Sequence, residues 1–254
     1  MNLERYYSEI KKRYGIITRA RGPFLYTQKN VRLTDLWQEG GRAILGWDSP
    51  AYTVFKNVLS KGLVGSFESA HRAQLQKAAG ELLQSPRKIF LFSQKKAAMQ
   101  AALLLDPQSV SFYKPFSGVD YSAVKNVIIA PPLPWTNNFW ILAARDFSQE
   151  AVPFASEFFP PALLAAASRA IYDLIAALKV RQEKDFFIYD KVLTKFFERR
   201  SCWLRPKIPQ EKYDGFVLAC LDAGVAISPD YNADSLVPYG ADKGVLKKMG
   251  EINV

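Results

Sequence analysis

The sequence predicts an α/β fold, in which strands and helices alternate around a largely parallel sheet. Residues 68–105 give the clearest signal, because an amphipathic stretch ends before Pro86, the apolar run KIFLF follows at Lys88–Phe92, and an alanine-rich stretch begins at Gln94. Short apolar segments bounded by glycine and proline recur after this unit, as is typical of buried strands. With 49% hydrophobic and 23% charged residues, the 254-residue chain can bury a sizeable core. Alternation of this kind favours parallel strands joined by crossover helices.

The N-terminal part predicts a helix, a hairpin and a second helix. Residues 2–14 have an amphipathic pattern, and the segments FLYT and VRLTDLW then alternate apolar and polar residues as paired strands do. Gly40 and Gly41 permit a tight turn. A helix begins at Pro50, where the missing N–H group costs least, and ends near Gly62.

The remainder of the chain predicts strands in its middle and mainly helices in its C-terminal part. The predicted strands are residues 109–113, 126–130 and 139–144, with two more at CWLRP and VAISP. The predicted helices are residues 161–178, 184–200, 213–223 and 242–249. A stripe of aromatic and aliphatic side chains at helical spacing supports the helix over 184–200.

The net charge of the chain is +10, from 34 Lys and Arg residues against 24 Asp and Glu residues, and residues 1–35 hold a large share of it. A basic surface attracts phosphates, nucleic acid or acidic lipid head groups. No recognition-helix, RNA-recognition or zinc-finger pattern accompanies the charge. Nucleic-acid binding is therefore kept as an alternative, and a solvated basic face is the simpler interpretation.

Location and metal chemistry are bounded by what the sequence lacks. The first fifteen residues have no apolar export stretch, and no run reaches the ~18 apolar residues of a membrane span, so we expect a cytoplasmic protein without membrane contact. The single histidine and the two cysteines, Cys202 and Cys220, have no metal-binding spacing. We expect no metal site and two buried structural thiols.

Residues 22–63 resemble the opening segment of fold-type-I pyridoxal-phosphate (PLP) aminotransferases, particularly those of class III. That segment has a hairpin arm, a glycine-rich piece and then a helix that starts near a proline. Trp47 and Asp48 stand where the family has a histidine. The residues that match are Gly22, Phe24, Leu25, Tyr26, Leu33, Asp35, Leu36, Gly40, Gly41, Leu45, Gly46 and Pro50.

Residues 70–105 look like the helix, strand and phosphate-binding turn of the same family. Ser93 and Ala97 fit the turn, whereas the family's glycine and acidic residue do not occur there. Free N–H groups at a helix N-terminus favour an anion. The resemblance therefore implies a candidate anion or cofactor-phosphate site at Ser93, Gln94, Lys95 and Lys96. The alternative is a pair of solvated lysines at the start of a helix.

The resemblance also implies a Schiff-base lysine and an aspartate that pairs with the pyridine nitrogen of PLP. Only about 60 residues separate Ala97 from Pro160, where the family has a much longer stretch of sheet and helix. The lysines in this interval are Lys114 and Lys125, and we consider both as candidates for the catalytic amine. Asp146 is the nearest candidate for the aspartate.

Residues 216–249 resemble the family's small C-terminal domain, with a helix, a glycine, a short strand and a loop to a terminal helix. The resemblance implies a reduced PLP-transferase-like sheet domain with helices on its faces, plus a small α+β domain built from both chain termini. The predicted segments are 1–62 for the N-terminal arm and part of the small domain, 63–160 for the shortened α/β sheet domain, and 161–254 for the C-terminal small domain.

We expect a non-catalytic, aminotransferase-like protein, a pseudoenzyme that lacks the family's cofactor-binding and catalytic residues. It would hold no cofactor and would bind an acidic protein partner or a small anionic ligand. Family members build their sites at a dimer interface, so the resemblance also implies a homodimer. One alternative is an enzyme, a PLP-dependent transferase with an altered site. The other is a basic adaptor for nucleic acid.

Overall fold

The computed structural model describes residues 1–136, 138–145 and 152–253. The helices are α1 Leu3–Tyr14, α2 Ala51–Leu59, α3 Ala70–Leu82, α4 Lys95–Leu105, α5 Pro161–Val180, α6 Glu183–Phe187, α7 Asp190–Leu193 and α8 Gln210–Asp222. The strands are β1 Ile17–Arg21, β2 Phe24–Thr27, β3 Arg32–Asp35, β4 Lys88–Phe92, β5 Val110–Phe112, β6 Asn126–Ile129, β7 Trp140–Ala144, β8 Phe197–Arg200, β9 Trp203–Pro206, β10 Val225–Ala226 and β11 Ser235–Leu236. Short 3-10 turns lie at Gln38–Gly41, Lys243–Leu246 and Met249–Glu251.

The described chain forms two compact units, and each has sheet structure of its own. The first unit contains Met1–Asp48 and Arg181–Val254, and the second contains Ser49–Val180. The segment limits predicted after residues 62 and 160 differ from these limits. The difference arises because α2 and α5, which were assigned to the flanking segments, pack against each other inside the second unit.

The sheet of the second unit has four strands in the order β4–β7–β6–β5. β7 is antiparallel to both of its neighbours, β4 and β6, whereas β5 and β6 are parallel. The expectation of a largely parallel sheet is therefore wrong. The connection from Ile129 to Trp140 is too short for a crossover helix, so the chain returns in the opposite direction.

β4 lies at an edge of this sheet, although an apolar run such as KIFLF is typical of a strand in the sheet interior. Its side chains from Ile89 to Phe92 are buried all the same. A later segment covers the free edge: the Glu157 N–H group donates to the Leu91 carbonyl (2.9 Å), and the Leu91 N–H group donates to the Ser156 hydroxyl (2.9 Å). This cover explains why an edge strand carries the sequence of a buried one.

Helices cover the faces of this sheet, as predicted. On one face, alanines of α4 pack against Phe90 and Phe92 of β4 and against Ile128 and Leu142 of the neighbouring strands. Successive side chains of a strand point to opposite faces, so Ile89 and the other alternate residues point away from α4. α3 contacts β4 and β7, and α5 packs against α2 and α3.

The first unit combines both chain ends in one sheet, which confirms a small α+β unit built from the two termini. Strands β1, β2 and β3 pair in antiparallel order, and β10 from the C-terminal part pairs with β3 in parallel. A second sheet has the order β11–β9–β8, and α1 contacts α8. The sequence predicted α1, the hairpin of β2 and β3, β9, α8 and β10, but it missed β1, β8 and β11.

Two of the predicted C-terminal helices are wrong. Residues 184–200 form α6, α7 and β8, because β8 pairs with β9 across a turn at Ser201, whose φ is 54°. Pairing with a neighbouring strand thus overrides the helical spacing of the apolar residues. Residues 242–249 form a single 3-10 turn at Lys243–Leu246 before Met249, and Gly244 and Gly250 disfavour a longer helix there.

Candidate functional site

The turn between β4 and α4 has the predicted position. β4 ends at Phe92 and α4 begins at Lys95, so Ser93 and Gln94 form the strand-to-helix turn. Gln94 has an extended conformation, with φ −122° and ψ 135°, as is usual for the residue that precedes a helix. The four residues Ser93, Gln94, Lys95 and Lys96 therefore lie where the sequence placed an anion site.

A carboxylate of the protein itself accepts a hydrogen bond from one of the main-chain N–H groups of this turn. The Ser93 N–H group donates to Oε2 of Glu157 at 3.1 Å. Glu157 is held in place by its own main chain, which pairs with Leu91 of β4. A carboxylate is favourable at the positive end of a helix for the same reason that a phosphate is. An external anion at this turn must therefore compete with Glu157.

Lys95 and Lys96 are exposed at the start of α4. The Lys95 ammonium lies 4.6 Å from the centre of the Phe112 ring and 5.8 Å from that of the Trp140 ring, on strands β5 and β7. A cation over an aromatic face is attracted by the ring quadrupole. The Phe112 and Trp140 rings of the sheet therefore stabilise the Lys95 ammonium at the start of α4.

Lys125 lies on the surface in an ion pair. Its Nζ atom is 3.0 Å from Oδ2 of Asp106, and its main-chain N–H group donates to the Ser109 hydroxyl (2.9 Å). The hydrogen bond from Lys125 lowers the pKa of Asp106. An amine that forms an imine must reach the carbonyl carbon of its partner, and the ion pair holds the Lys125 amine at Asp106 instead. This setting does not suit a Schiff-base lysine.

Lys114 is less exposed than the other lysines. All lysines of the chain lie in the described ranges, and every other one is exposed, whereas Lys114 is half-buried. It lies on a groove of about 400 Å³ formed by residues 82–84, most of residues 113–121, and Leu178. Of the two lysines that the sequence offered, Lys114 is therefore the less exposed.

Arg87 holds the far end of the loop that carries Lys114. Its side chain is buried, with 5% of its surface exposed. The oxygen atoms that accept from its guanidinium are the main-chain carbonyls of Tyr121 (2.8 Å), Ser122 (3.3 Å), Val124 (2.6 Å) and Lys125 (2.8 Å), and the Ser85 hydroxyl (2.9 Å). Sequence analysis missed this residue. The available signal was a basic residue between Pro86 and an apolar strand.

No family model matches this chain. An uncharacterised protein of Treponema pallidum (strain Nichols) is 28% identical to it over 287 residues, which cover 93% of each chain. An uncharacterised protein of Borreliella burgdorferi is 24% identical over 251 residues, which cover 93% of this chain and 89% of the other. These relatives match nearly their whole length.

Solved structures match the chain over an equally long span. Ornithine aminotransferase PY00104 from Plasmodium yoelii aligns with a TM-score of 0.71 and 12% identity, over 98% of this chain and 97% of that one. Acetylornithine aminotransferase from Elizabethkingia anophelis aligns at 0.67 and 10%, over 99% of both. The chain has the fold of the PLP-dependent transferases. Identity this low shows the fold alone. The structural match nevertheless confirms the resemblance that residues 22–63, 70–105 and 216–249 suggested.

On this aminotransferase-like fold, the described residues fit a bound PLP poorly in two respects. The turn expected to hold the phosphate has one N–H group committed to Glu157. The sheltered amine, on Lys114, lies on a groove that includes none of residues 93–96. A PLP site needs the phosphate anchor and the amine in one pocket. Asp146, the candidate for the pyridine partner, lies outside the described residues.

The aminotransferase-like opening segment is built around Asp35, which is buried. Asp35 accepts hydrogen bonds from the N–H groups of Trp37 (3.0 Å) and Gln38 (2.9 Å) and from Nε1 of Trp47 (2.9 Å). Burial outweighs these three bonds and raises the pKa of Asp35 to about 6. Trp47, at the position of the family's histidine, is therefore a structural donor. Asp48, which follows Trp47 in the chain, accepts a hydrogen bond at Oδ1 from the Gly22 N–H group (2.9 Å).

Other kinds of site have less support. Within residues 1–136, 138–145 and 152–253, acidic, cysteine and histidine side chains form no group that could hold a metal ion. No helix in the described part of the chain is both long and apolar enough to cross a membrane. Cys202 and Cys220 are buried, as predicted, and are not joined in a disulfide; burial raises the pKa of Cys220.

Proposed function

We propose that this chain is a non-catalytic protein with the PLP-transferase fold, which acts by binding a small anionic ligand or a protein partner. The observation that carries the proposal is the hydrogen bond from the Ser93 N–H group to Glu157, at the turn where the fold's cofactor phosphate would lie. A carboxylate fixed at this point repels a phosphate and takes a donor from it. The ion pair of Lys125 with Asp106 further supports the proposal.

Reduction with borohydride in the presence of PLP tests the absence of Schiff-base chemistry. We expect no saturable absorption band of an imine, because no lysine is both desolvated and close to a free phosphate anchor. After reduction, peptide mapping should find small amounts of adduct spread over exposed lysines. One stoichiometric adduct on a single lysine would contradict the proposal.

A PLP-dependent transferase with an altered site is the second candidate, and the half-burial of Lys114 on a groove favours it. Lys114→Arg keeps the positive charge but cannot form an imine. If Lys114 is the catalytic amine, a stoichiometric adduct forms in the unmodified protein and disappears in Lys114→Arg. The matched control is Lys125→Arg, which should leave such an adduct unchanged. Equal labelling of all three proteins would reject this candidate.

Removal of the Glu157 carboxylate should open the turn to an external anion. In Glu157→Ala, the Ser93 N–H group becomes free beside Lys95 and Lys96, so inorganic phosphate should stabilise the variant. At a phosphate concentration about tenfold above Kd, the gain is about 1.4 kcal/mol, or a rise in Tm of roughly 2–4 °C. The unmodified protein and the control Glu81→Ala, which removes an exposed carboxylate, should show a much smaller rise. An equal rise in all three would mean that Glu157 does not occupy an anion site.

The alternative of nucleic-acid binding depends on the basic residues near the N-terminus, and some of these form ion pairs within the first unit. Arg13 Nε lies 2.6 Å from Asp222, and Arg5 Nη1 lies 3.3 Å from Asp214. Nucleic-acid binding stays a prediction that a salt-dependent gel shift would test, since phosphate contacts weaken steeply as salt rises. The homodimer and the cytoplasmic location also stay predictions, and sedimentation of the purified chain tests the first of them.

A further inference from the structure

The sheet formed by β1, β2 and β3 has one face in the core of the first unit and one face in solvent. Residues that pair directly across antiparallel strands lie on the same face. Leu25 of β2 pairs with Leu33 of β3, and both side chains are buried on the inner face. The next residue of β2, Tyr26, lies between Arg19 of β1 and Arg32 of β3, and both arginines are exposed. The outer face of this sheet is therefore basic.

Aromatic rings on the same face hold two of its guanidinium groups. Arg21 pairs with Phe24, so the outer face carries Arg19, Arg21, Phe24, Tyr26 and Arg32, and we call this set the arginine face. Cζ of Arg32 lies 4.3 Å from the centre of the Phe24 ring, and Cζ of Arg19 lies 5.4 Å from that of Tyr26. The ring quadrupole attracts each cation. Because both arginines are exposed, their N–H groups and the guanidinium surfaces turned away from the rings stay open to solvent.

Carboxylates of the chain neutralise little of this face. Arg21 Nε lies 3.4 Å from Oδ2 of Asp48, and an exposed pair of this kind contributes little. Arg19 and Arg32 form no ion pair with any residue in the described ranges. Arginines of α1, in contrast, pair with acidic residues of α8. The arginine face is thus a basic surface whose charge can meet an external anion.

The mixture of arginines and aromatic rings on a flat sheet indicates which polyanion suits this face. Single-stranded nucleic acid presents phosphates, which bind N–H groups, and unstacked bases, which stack on aromatic rings and on guanidinium planes. An acidic peptide or a lipid head group presents the charge without the bases. Neighbouring strands lie about 4.8 Å apart, so Arg19 and Arg32 are roughly 10 Å apart across β2. Sheets that recognise single-stranded RNA stack about two or three bases over a similar width.

We infer that the arginine face binds single-stranded nucleic acid, with bases stacked on the guanidinium planes of Arg19 and Arg32 and phosphates bound by their N–H groups. The net charge of +10 favours the approach of such a chain. This activity goes beyond the proposed function, because it uses neither the turn at Ser93 nor the lysines considered for an imine. Its failure would leave the outcome of the borohydride experiment unchanged.

Fluorescence anisotropy of a labelled oligouridylate of about 12 nucleotides, measured at several salt concentrations, tests the inference. The logarithm of the binding constant should fall with the logarithm of the salt concentration with a slope of about −2, as three phosphate contacts on a single strand imply. The double variant Arg19→Gln, Arg32→Gln should weaken binding about tenfold or more and make the slope shallower by about 1.4. No saturable binding by the unmodified protein, or unchanged binding by this variant, would overturn the inference.

The matched control is the double variant Arg200→Gln, Arg205→Gln. It removes the same net charge from exposed arginines on β8 and β9, in the other sheet of the same unit. We expect it to change Kd by less than about twofold, because long-range attraction between exposed charges is screened by salt. A loss equal to that of the first double variant would mean that net charge alone causes binding, and it would reject the arginine face as the site.

Arg32→Lys separates base stacking from charge. Lysine keeps the positive charge but has no planar group, so this variant should bind the oligouridylate several-fold more weakly with an unchanged salt slope. Oligoglutamate of the same length should compete poorly, because it cannot stack. Unweakened binding by Arg32→Lys, or equally tight binding of oligoglutamate, would indicate a surface for acidic chains in general and would reject nucleic acid as the ligand.

Discussion

Replacement of Arg87 by methionine is expected to lower the free energy of unfolding by about 3–5 kcal/mol. Methionine has a similar length but no donor, so the carbonyl groups of residues 121–125 that Arg87 binds would remain without this partner. Each such buried acceptor costs about 1–3 kcal/mol, and partial exposure to water recovers some of that cost. Urea unfolding followed by circular dichroism measures the difference. The effect is large because one side chain satisfies several acceptors on a segment more than 30 residues away.

Arg169→Met is the matched control, because Arg169 is an exposed arginine of the same unit. It pairs with Asp173 one helical turn later at 2.8 Å, and such pairs contribute about 0.3–0.5 kcal/mol. Arg87→Lys should give an intermediate loss, since one ammonium cannot reach the same set of oxygens as a planar guanidinium. A loss below about 1 kcal/mol in Arg87→Met would show that water replaces the guanidinium at little cost.

Asp35 is expected to give the protein a pH-dependent stability that Asp35→Asn lacks. The pKa of Asp35 is raised from 3.8 to about 6 in the folded protein, with burial as the main cause. A raised pKa means that the folded state binds the proton more tightly than the unfolded chain. The contribution to stability is therefore fully present below the unfolded pKa and is lost as the pH rises through about 6. The rise in pKa corresponds to about 3 kcal/mol.

The measurement is the free energy of unfolding of the unmodified protein minus that of Asp35→Asn, from about pH 4 to pH 7. This difference should fall by about 2.4 kcal/mol over the interval, because part of the decline lies below pH 4 and groups that titrate alike in both proteins cancel. Glu39 does not cancel fully, since burial and then Asp35 raise its pKa. A flat difference would mean that the hydrogen bonds from Trp37, Gln38 and Trp47 keep the pKa of Asp35 near its value in the unfolded chain.

Asp48 provides a control of opposite sign in the same segment. Its pKa is lowered, first by the hydrogen bond from the Gly22 N–H group, so its contribution is present above the unfolded value and lost as the pH falls. Asp48→Asn should therefore lose pH dependence on the acid side and keep the decline that Asp35 causes. If both variants changed the same part of the curve, the assignment of the decline to Asp35 would be wrong.

The elements that local sequence determines were largely predicted. KIFLF is a strand because an apolar run between Pro86 and a polar turn can only be buried, and the alanine-rich stretch after it is α4 because alanine favours helix. Ser93 at the turn follows from these two. Residues 184–200 show the limit of this reasoning, because their helical stripe gave way to pairing between β8 and β9. Such pairing depends on residues that periodicity does not include.

The strand-to-helix turn at Ser93 was predicted, but the interactions of the residues on it were not. The sequence offered Ser93 and Lys95 as an anion site, and it offered Lys114 and Lys125 as amines without distinguishing them. The structure adds Glu157, which is 64 positions from Ser93. It also separates the two lysines, since Lys125 pairs with Asp106 at the surface while Lys114 is half-buried. A sequence does not show which polar groups form hydrogen bonds with each other in the folded protein, so it cannot reveal which donors and acceptors are already occupied.

The sequence by itself determined the type of most elements, the α/β class, and the likeness of both chain ends to an aminotransferase, because helical and strand periodicity and turn residues act over a few positions. Tertiary structure alone decided that the sheet is mixed, that β4 is an edge strand covered by Ser156 and Glu157, and that Arg87 supports the groove wall. The physical reason is that strand direction, burial and hydrogen-bond partners are set by contacts between residues tens of positions apart, whose free energy exists only once the chain has folded.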